Sequence, residues 1–177
     1  MPRNKREQDR DSKRDEIIAS ARERFLEDGF EATSMSRLAS AAGVAPNTIY
    51  WYFKDKDEVL VAVLDAEFST RAVEYLQQPF ADTAERLLWV VNQLELTSRL
   101  VSTVHARASL SPQINTWHER FHELTEGMVR MELAQKSLPA ERIESLVKIC
   151  VFTIEGLLAH PMTDEEKRRI CATLAAV

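Results

Sequence analysis

The chain has 177 residues, of which 45% are hydrophobic and 29% charged, and its formal net charge is −5. This balance is typical of a chain that folds around its own core, and it excludes an intrinsically disordered protein. The four glycines stand apart from one another, so the sequence holds neither a P-loop nor a Gly-rich dinucleotide fingerprint. The scarcity of glycine also favours an all-α fold.

The sequence has no feature of a secreted or membrane protein. No apolar signal region follows Met1, and no stretch approaches the roughly 18 apolar residues of a membrane span. Cys150 and Cys171 lie outside any CxxC motif, so we expect buried, reduced side chains rather than zinc ligands. We therefore expect a cytoplasmic protein with no membrane partner.

Positive charge is concentrated at the N-terminus. Residues 1–14 hold six basic and three acidic side chains, whereas the rest of the chain is acidic. Residues 1–12 are therefore predicted to form a basic arm. Such an arm either follows a nucleic-acid backbone and enters its minor groove, or is a solvated tail.

Apolar residues recur at helical spacing along the chain, which predicts about nine α-helices and no strands. A capping box at Ser12 begins the first helix, and Gly29 ends it. Ser34 caps a short second helix, and Pro46 begins a third. The predicted helices span about 12–28, 35–42, 46–53, 56–77, 83–110 with a break near residue 97, 111–136, 139–160 and 163–176.

The second and third predicted helices form the most informative motif. They are joined at Gly43, and two short helices with a tight glycine turn are typical of a helix-turn-helix, whose second helix enters the DNA major groove. On the predicted helix over residues 46–53, Ile49 and Phe53 are four residues apart and are predicted to face the core. Tyr50 and Trp51 are then left on the surface, which is costly unless a partner covers them. The pattern therefore predicts a DNA-binding surface.

The stretch from Arg14 to Leu60 resembles the N-terminal domain of the TetR/AcrR transcriptional regulators. The resemblance implies a three-helix DNA-binding domain over residues 13–56 and a helical ligand-binding and dimerisation domain over residues 57–177. The matching residues, whose spacing agrees without gaps, are Arg14, Ile17, Ala21, Phe25, Gly29, Phe30, Thr33, Ser34, Leu38, Ala39, Ala42, Gly43, Val44, Thr48, Ile49, Tyr50, Tyr52, Phe53, Lys56 and Leu60.

The resemblance implies DNA-contacting roles for individual side chains. Asn47 can pair with an adenine edge and Thr48 can contact a thymine methyl group, which favours an A·T-weighted half-site. Arg37, on the preceding helix, is a further candidate. The residues placed at base edges or phosphates of double-stranded DNA are Thr33, Ser34, Arg37, Pro46, Asn47, Thr48, Tyr50, Trp51, Tyr52 and Lys56.

Two positions depart from the family pattern. Ala45 stands where a Ser or Thr commonly caps the recognition helix, so a cap worth about 1 kcal/mol is expected to be missing. Ser36 stands where some relatives place a base-reading arginine. The sequence of the DNA site is therefore not given by the resemblance.

The predicted helix over residues 139–160 is apolar nearly all round. A helix of this kind is buried on two faces, so one face is predicted to pack on its own core and the other on a partner chain. Together with the helix over 163–176, it would give a four-helix homodimer interface. Burial of both faces within one monomer is the alternative.

A pocket for a small-molecule inducer is also implied by the resemblance. Aromatic side chains with a few polar groups suit such a pocket, although any helical core uses the same residue types. The candidate lining residues are Trp89, Gln93, His105, Trp117, Phe121 and His122.

His118 and His122 share a helix face and could hold a metal with Glu119 or Glu123 nearby. No HExxH or similar pattern completes the set, so we expect neither metal nor cofactor. No nucleophile and base occur at catalytic spacing, so we expect no enzyme. The resulting interpretation is a homodimeric repressor that binds a palindromic operator and is released by an inducer. The alternative is a DNA-binding repressor or architectural protein without an inducer, which a closed or absent cavity would favour.

Overall fold

The computed structural model describes the backbone of residues 5–176 and the side chains of residues 9–176. Over this part of the chain it contains eight α-helices, one 3₁₀ turn and no strand, which confirms the all-α prediction. The helices are α1 (Lys5–Glu27), α2 (Met35–Ala41), α3 (Lys56–Gln77), α4 (Thr83–Leu96), α5 (Ser98–Ala108), α6 (Pro112–Leu133), α7 (Ala140–Ala159) and α8 (Asp164–Ala175).

The chain divides into two compact units. The first comprises Met1–Leu76 and Arg99–Asn115, and the second comprises Gln77–Ser98 and Thr116–Val177. The boundaries expected near residues 12 and 56 separate predicted functions and not compact units, and they stay predictions. None of the helices in the described residues is both long and apolar enough to span a membrane.

The core of the first unit is built from one face of α1 and the elements that follow it. Ile17, Ala21 and Phe25 recur every four residues and are at most 1% exposed. Burial of an aromatic or branched side chain of this kind stabilises the fold by about 1.5–3 kcal/mol. The other core residues of this unit include Leu38, Ile49, Phe53, Val59, Leu60, Val63, Leu100 and Ile114.

Helix α1 begins at Lys5, earlier than the start predicted at Ser12. The residues between these positions are mainly Lys, Arg, Glu and Gln, which are good helix formers, and none is Gly or Pro. Their propensity therefore extends the helix through the predicted cap, and Ser12 lies exposed within it. Residues 1–4 of the predicted arm, and the side chains of Lys5 and Arg6, lie outside the described residues.

In the second unit, α4 packs against α7 and α8. A core cluster there contains Val91 from α4, Leu157 from α7 and Cys171 from α8. Helix α8 starts with the predicted capping box, in which Thr163 and Glu166 bond each other's backbone N–H groups. Because these groups satisfy donors that the helix itself leaves open, they fix where α8 begins.

Ion pairs join α6 and α7 side by side. The Lys148 ammonium lies 2.7 Å from a carboxylate oxygen of Glu126, and the Arg130 guanidinium lies 2.6 Å from Glu144. Hydrogen bonds from Arg130 lower the pKa of the Glu144 carboxyl. From Glu126 to Arg130 the numbers rise along α6, while their partners on α7 fall from Lys148 to Glu144, so the two helices run antiparallel over this stretch.

Candidate nucleic-acid interface

A tight turn connects α2 to the segment predicted to read DNA. Ser34 caps α2, with its hydroxyl oxygen accepting a hydrogen bond from the backbone N–H of Arg37 at 3.2 Å. Gly43 follows the helix with a φ of +65°, a conformation that favours glycine. The backbone N–H of Val44 then bonds the carbonyl of Ala39 at 2.9 Å and closes the turn.

Residues 46–53, here called the recognition segment, do not form the predicted α-helix. Their only regular element is a 3₁₀ turn over Ile49–Trp51. The N–H of Thr48 bonds the carbonyl of Ala45 at 2.8 Å, and the N–H of Trp51 bonds that of Thr48 at 3.1 Å, both with 3₁₀ spacing. The prediction was wrong about helix type because Ala45 offers no capping oxygen and β-branched and aromatic residues, which are weak helix formers, fill the segment.

Two buried side chains hold the recognition segment to the core. Ile49 is 0% exposed and Phe53 is 1% exposed, as their spacing predicts. Between them, Tyr50 is 54% exposed and Trp51 is 76% exposed. The segment therefore presents an aromatic surface from a rigidly anchored backbone. The remaining predicted contact residues of the segment are exposed Pro46 and Asn47 and half-buried Thr48 and Tyr52.

Thr33 does not fit the predicted phosphate contact. Its side chain is completely buried, and its hydroxyl donates to the carbonyl of Gly29 at 2.8 Å. Gly29 itself has a φ of +88° and ends the chain reversal after α1. Thr33 thus stabilises this turn, whereas the neighbouring Ser34 is exposed at the N-terminus of α2.

Lys56 and Arg37 are partly committed to contacts within the first unit. The Lys56 ammonium donates to the carbonyl of Phe30 at 2.7 Å and lies 4.1 Å from the centre of the Phe30 ring. Burial lowers the pKa of this ammonium. The Arg37 guanidinium donates to the carbonyl of Ala32 at 2.9 Å and lies 3.5 Å from Asp28, with about half of its side chain exposed. Arg37 is therefore the more accessible of the two cations.

Helix α1 contributes two cations to this surface, Arg10 from the predicted arm and Lys13 just beyond it. An open groove beside the recognition segment is lined by Asp9, Arg10, Lys13, Trp51 and Tyr52. The sequence signal was present, because Lys13 and Arg10 stand four and seven residues before the buried Ile17 and so continue its helix face. One residue further, the Arg14 guanidinium lies 5.1 Å from the centre of the Phe53 ring.

The predicted ligand-binding residues fall in both units. His105 is exposed and belongs to the first unit. In the second unit, Trp117 stacks on Phe121 with ring centres 5.3 Å apart, and the Nε2 atoms of His118 and His122 are 3.1 Å apart. The remaining candidates are Trp89, whose ring meets Phe80 edge-on at 5.9 Å, and half-buried Gln93.

Helix α7 has one buried and one exposed apolar face. Val147 is 0% exposed, whereas Ile149 is 49% and Phe152 is 68% exposed. The second apolar face is therefore exposed in the single chain. The sequence had left open that both faces are buried within one monomer, and the structure does not show this. Cys150 and Cys171 are buried as predicted, and burial raises the pKa of both thiols.

A glycine turn after a short helix and an anchored aromatic segment define a helix-turn-helix DNA-binding protein. Proteins of similar sequence belong to the same class. Residues 17–63 match the family described as bacterial regulatory proteins, tetR family. The HTH-type transcriptional repressor Rv1474c of Mycobacterium tuberculosis is 25% identical over 178 residues, covering 94% of this chain and 91% of that protein.

Solved structures share the fold. A transcriptional regulator from Rhodococcus superposes with a TM-score of 0.77 at 17% identity, covering 92% of this chain and 94% of that one. A regulator from Saccharomonospora viridis, solved with choline, superposes with a TM-score of 0.67 at 19% identity, covering 90% and 93%. Together, the family match over residues 17–63 and the similar proteins support a transcriptional regulator of the TetR/AcrR family. These matches support DNA-binding regulation of transcription rather than catalysis.

Proposed function

We propose that the protein is a homodimeric repressor that places the recognition segment of each protomer in a DNA major groove. The observation that carries this proposal is the exposure of Tyr50 and Trp51 between two fully buried anchors. An exposed indole and phenol on a rigid backbone lose little conformational freedom when a surface covers them. The two protomers would read the halves of a palindromic operator.

The proposed contacts fall into two groups. Base edges are read by the recognition segment, in which Asn47 suits adenine and the Thr48 methyl suits thymine. Phosphates are held around it by cationic and hydroxyl side chains, which position the protein without reading sequence. We assign Pro46, Asn47, Thr48, Tyr50 and Trp51 to the first group and Arg10, Lys13, Ser34, Arg37, Tyr52 and Lys56 to the second.

The exposed face of α7 is the proposed dimer contact. Ile149 and Phe152 lie three residues apart, so they project from the same side of the helix. Gly156 continues this side, and a Cβ added to it would meet nothing within 4 Å in the single chain. A second copy of α7, together with α8, would cover these apolar side chains in a four-helix interface.

We further propose that a small molecule controls DNA binding. The aromatic residues Trp117 and Phe121 are the central candidates for its site, with Trp89, Gln93 and His122 of the same second unit. The choline-bound neighbour supports this only by showing a small molecule on a chain of this fold. Such an inducer must bind more tightly to a dimer geometry that does not fit the operator.

The test begins with DNA sites selected from a random pool by the purified protein. Tyr50→Ala and Trp51→Ala should each lower affinity for the selected site at least tenfold in fluorescence anisotropy, while sedimentation still reports a dimer. Leu110→Ala is the matched control, since Leu110 is 72% exposed in the same unit but outside the recognition segment. Unchanged binding by both aromatic variants would show that another surface reads DNA. If no compound from a metabolite library alters binding, the inducer-free repressor is the better description.

A further inference from the structure

Two histidines on α6 point the same ring atom at each other. His118 and His122 are one helical turn apart, and their Nε2 atoms are separated by 3.1 Å. Two imidazoles bound to one tetrahedral metal place their nitrogens about 3.4 Å apart, given metal–nitrogen bonds of about 2.0–2.1 Å. The pair is thus already close to the spacing that a shared metal requires.

A carboxylate from the next helix completes the set. An Oε1 atom of Glu155, on α7, lies 3.9 Å from Nε2 of His122. The Glu155 side chain is 41% exposed, so a change of its torsion angles can bring the carboxylate to the spacing of about 3.4 Å that ligands of one ion have. From the sequence we expected no metal, and the only nearby carboxylates it offered were on α6 itself, at Glu119 and Glu123. The structure offers one from α7 instead, which sequence spacing alone does not indicate.

Neighbouring contacts hold together the two helices that carry these three groups. Ion pairs of Glu126 with Lys148 and of Arg130 with Glu144 hold α6 and α7 in register along the same side. The ring of His122 also meets Phe121 edge-on at 5.7 Å. A ligand set held by ordered neighbours loses less freedom when a metal binds, which strengthens binding.

We propose that His118, His122 and Glu155 form a binding site for a divalent transition-metal ion. Two imidazole nitrogens and one carboxylate suit Zn²⁺, Co²⁺ or Ni²⁺ and are a poor match for Mg²⁺ or Ca²⁺, which prefer oxygen ligands. The ion would replace the imidazole–imidazole hydrogen bond and would link α6 to α7.

The site is tested on the full chain after treatment with a chelator. Co²⁺ is added, and its visible absorption bands and bound stoichiometry are measured, with Zn²⁺ as competitor. We expect one Co²⁺ per chain in the wild-type protein and displacement by Zn²⁺. His118→Ala combined with His122→Ala should abolish binding, and Glu155→Gln should weaken it at least about tenfold.

His160→Ala is the control, because His160 is exposed at the end of α7 and is not part of the set. It should bind Co²⁺ as the wild type does. Circular dichroism checks that the variants keep their helix content. The proposal is overturned if the wild-type protein binds no stoichiometric Co²⁺ at micromolar concentrations, or if the double histidine variant, still folded, binds it equally well.

Discussion

Arg107 connects three side chains around the DNA-binding part of the first unit. Its guanidinium donates two hydrogen bonds of 3.0 Å to the carboxylate of Asp57 and one of 3.2 Å to Glu31. It also lies 4.7 Å from the centre of the Phe30 ring. The hydrogen bonds to Asp57 raise the pKa of Arg107. Because Asp57 lies in the first turn of α3, Arg107 fixes the helix that follows the recognition segment.

Replacing this arginine should cost measurable stability. We expect Arg107→Gln to lower the free energy of unfolding by about 1–3 kcal/mol. The charge-assisted hydrogen bonds are lost, and a neutral glutamine is a weaker partner for the Asp57 carboxylate. Urea unfolding followed by circular dichroism measures the change. Arg169→Gln, at an ion pair whose two side chains are 67% and 77% exposed, should have little effect. Equal losses in the two variants would contradict this role of Arg107.

At the scale of the elements, the sequence predicts helix positions well and helix type less well. Apolar spacing locates every α-helix from α2 onward, and the break near Thr97 appears as the C-cap of α4. The recognition segment differs because spacing reports which side chains are buried and not which hydrogen bonds form. Ile49 and Phe53 are buried in a 3₁₀ turn as they would be in an α-helix.

The candidate site is predictable only in part, for a related reason. The exposure of Tyr50 and Trp51 follows from the position of the anchors beside them. Thr33 is buried because its hydroxyl bonds a carbonyl in the preceding turn, and no periodicity encodes that choice. Arg10 and Lys13 line the same groove as Trp51, and Arg10 belongs to a helix there because α1 begins earlier than predicted, which depends on local propensity.

The capping box of α8 gives an element-scale prediction. Thr163→Ala should lower the free energy of unfolding by about 1 kcal/mol, since a backbone donor at the helix start loses its partner. Chemical denaturation monitored by circular dichroism measures this, and Thr173→Ala, at an exposed hydroxyl later in α8, is the control. The expectation fails if Thr173→Ala is the more damaging change.

Acid should weaken the same cap. Hydrogen bonds from Thr163 lower the pKa of the Glu166 carboxyl in the folded protein. A lowered folded-state pKa means that the carboxylate stabilises the fold above its unfolded pKa, and that this contribution is lost as pH falls through the folded pKa. The stability difference between the wild type and Glu166→Gln should therefore shrink in acid.

At the scale of the whole molecule, we propose that the exposed face of α7 decides the oligomeric state. Phe152→Glu should convert the proposed dimer to a monomer in sedimentation velocity, because the new charge would be buried without a partner. Since Phe152 is exposed in the single chain, the monomer should stay folded. Met131→Glu is the control, at a side chain 73% exposed in the same unit. A Phe152→Glu protein that remains dimeric would place the interface elsewhere.

The charge distribution sets how salt affects DNA binding. The chain carries a net charge of −5, and few exposed cations surround the recognition segment. Each phosphate contact contributes about 0.9 to the slope of log affinity against log salt. Removing Arg10 and Lys13 together should reduce that slope by about two per bound protomer. Titrations at several salt concentrations measure it, with Lys148→Ala as the control. A slope unchanged from the wild type would remove these cations from the interface.

The way the recognition segment is held separates what the protein reads from how stably it folds. Ile49 and Phe53 carry the packing, and the residues between and before them contribute little to the core. Exchanging the exposed residues should therefore alter the preferred DNA sequence at small cost to the scaffold. The exposed residues of the segment would then be exchangeable without loss of the fold. A library varied at Asn47, Thr48, Tyr50 and Trp51 should therefore yield variants that bind new operators without redesign of the rest of the chain.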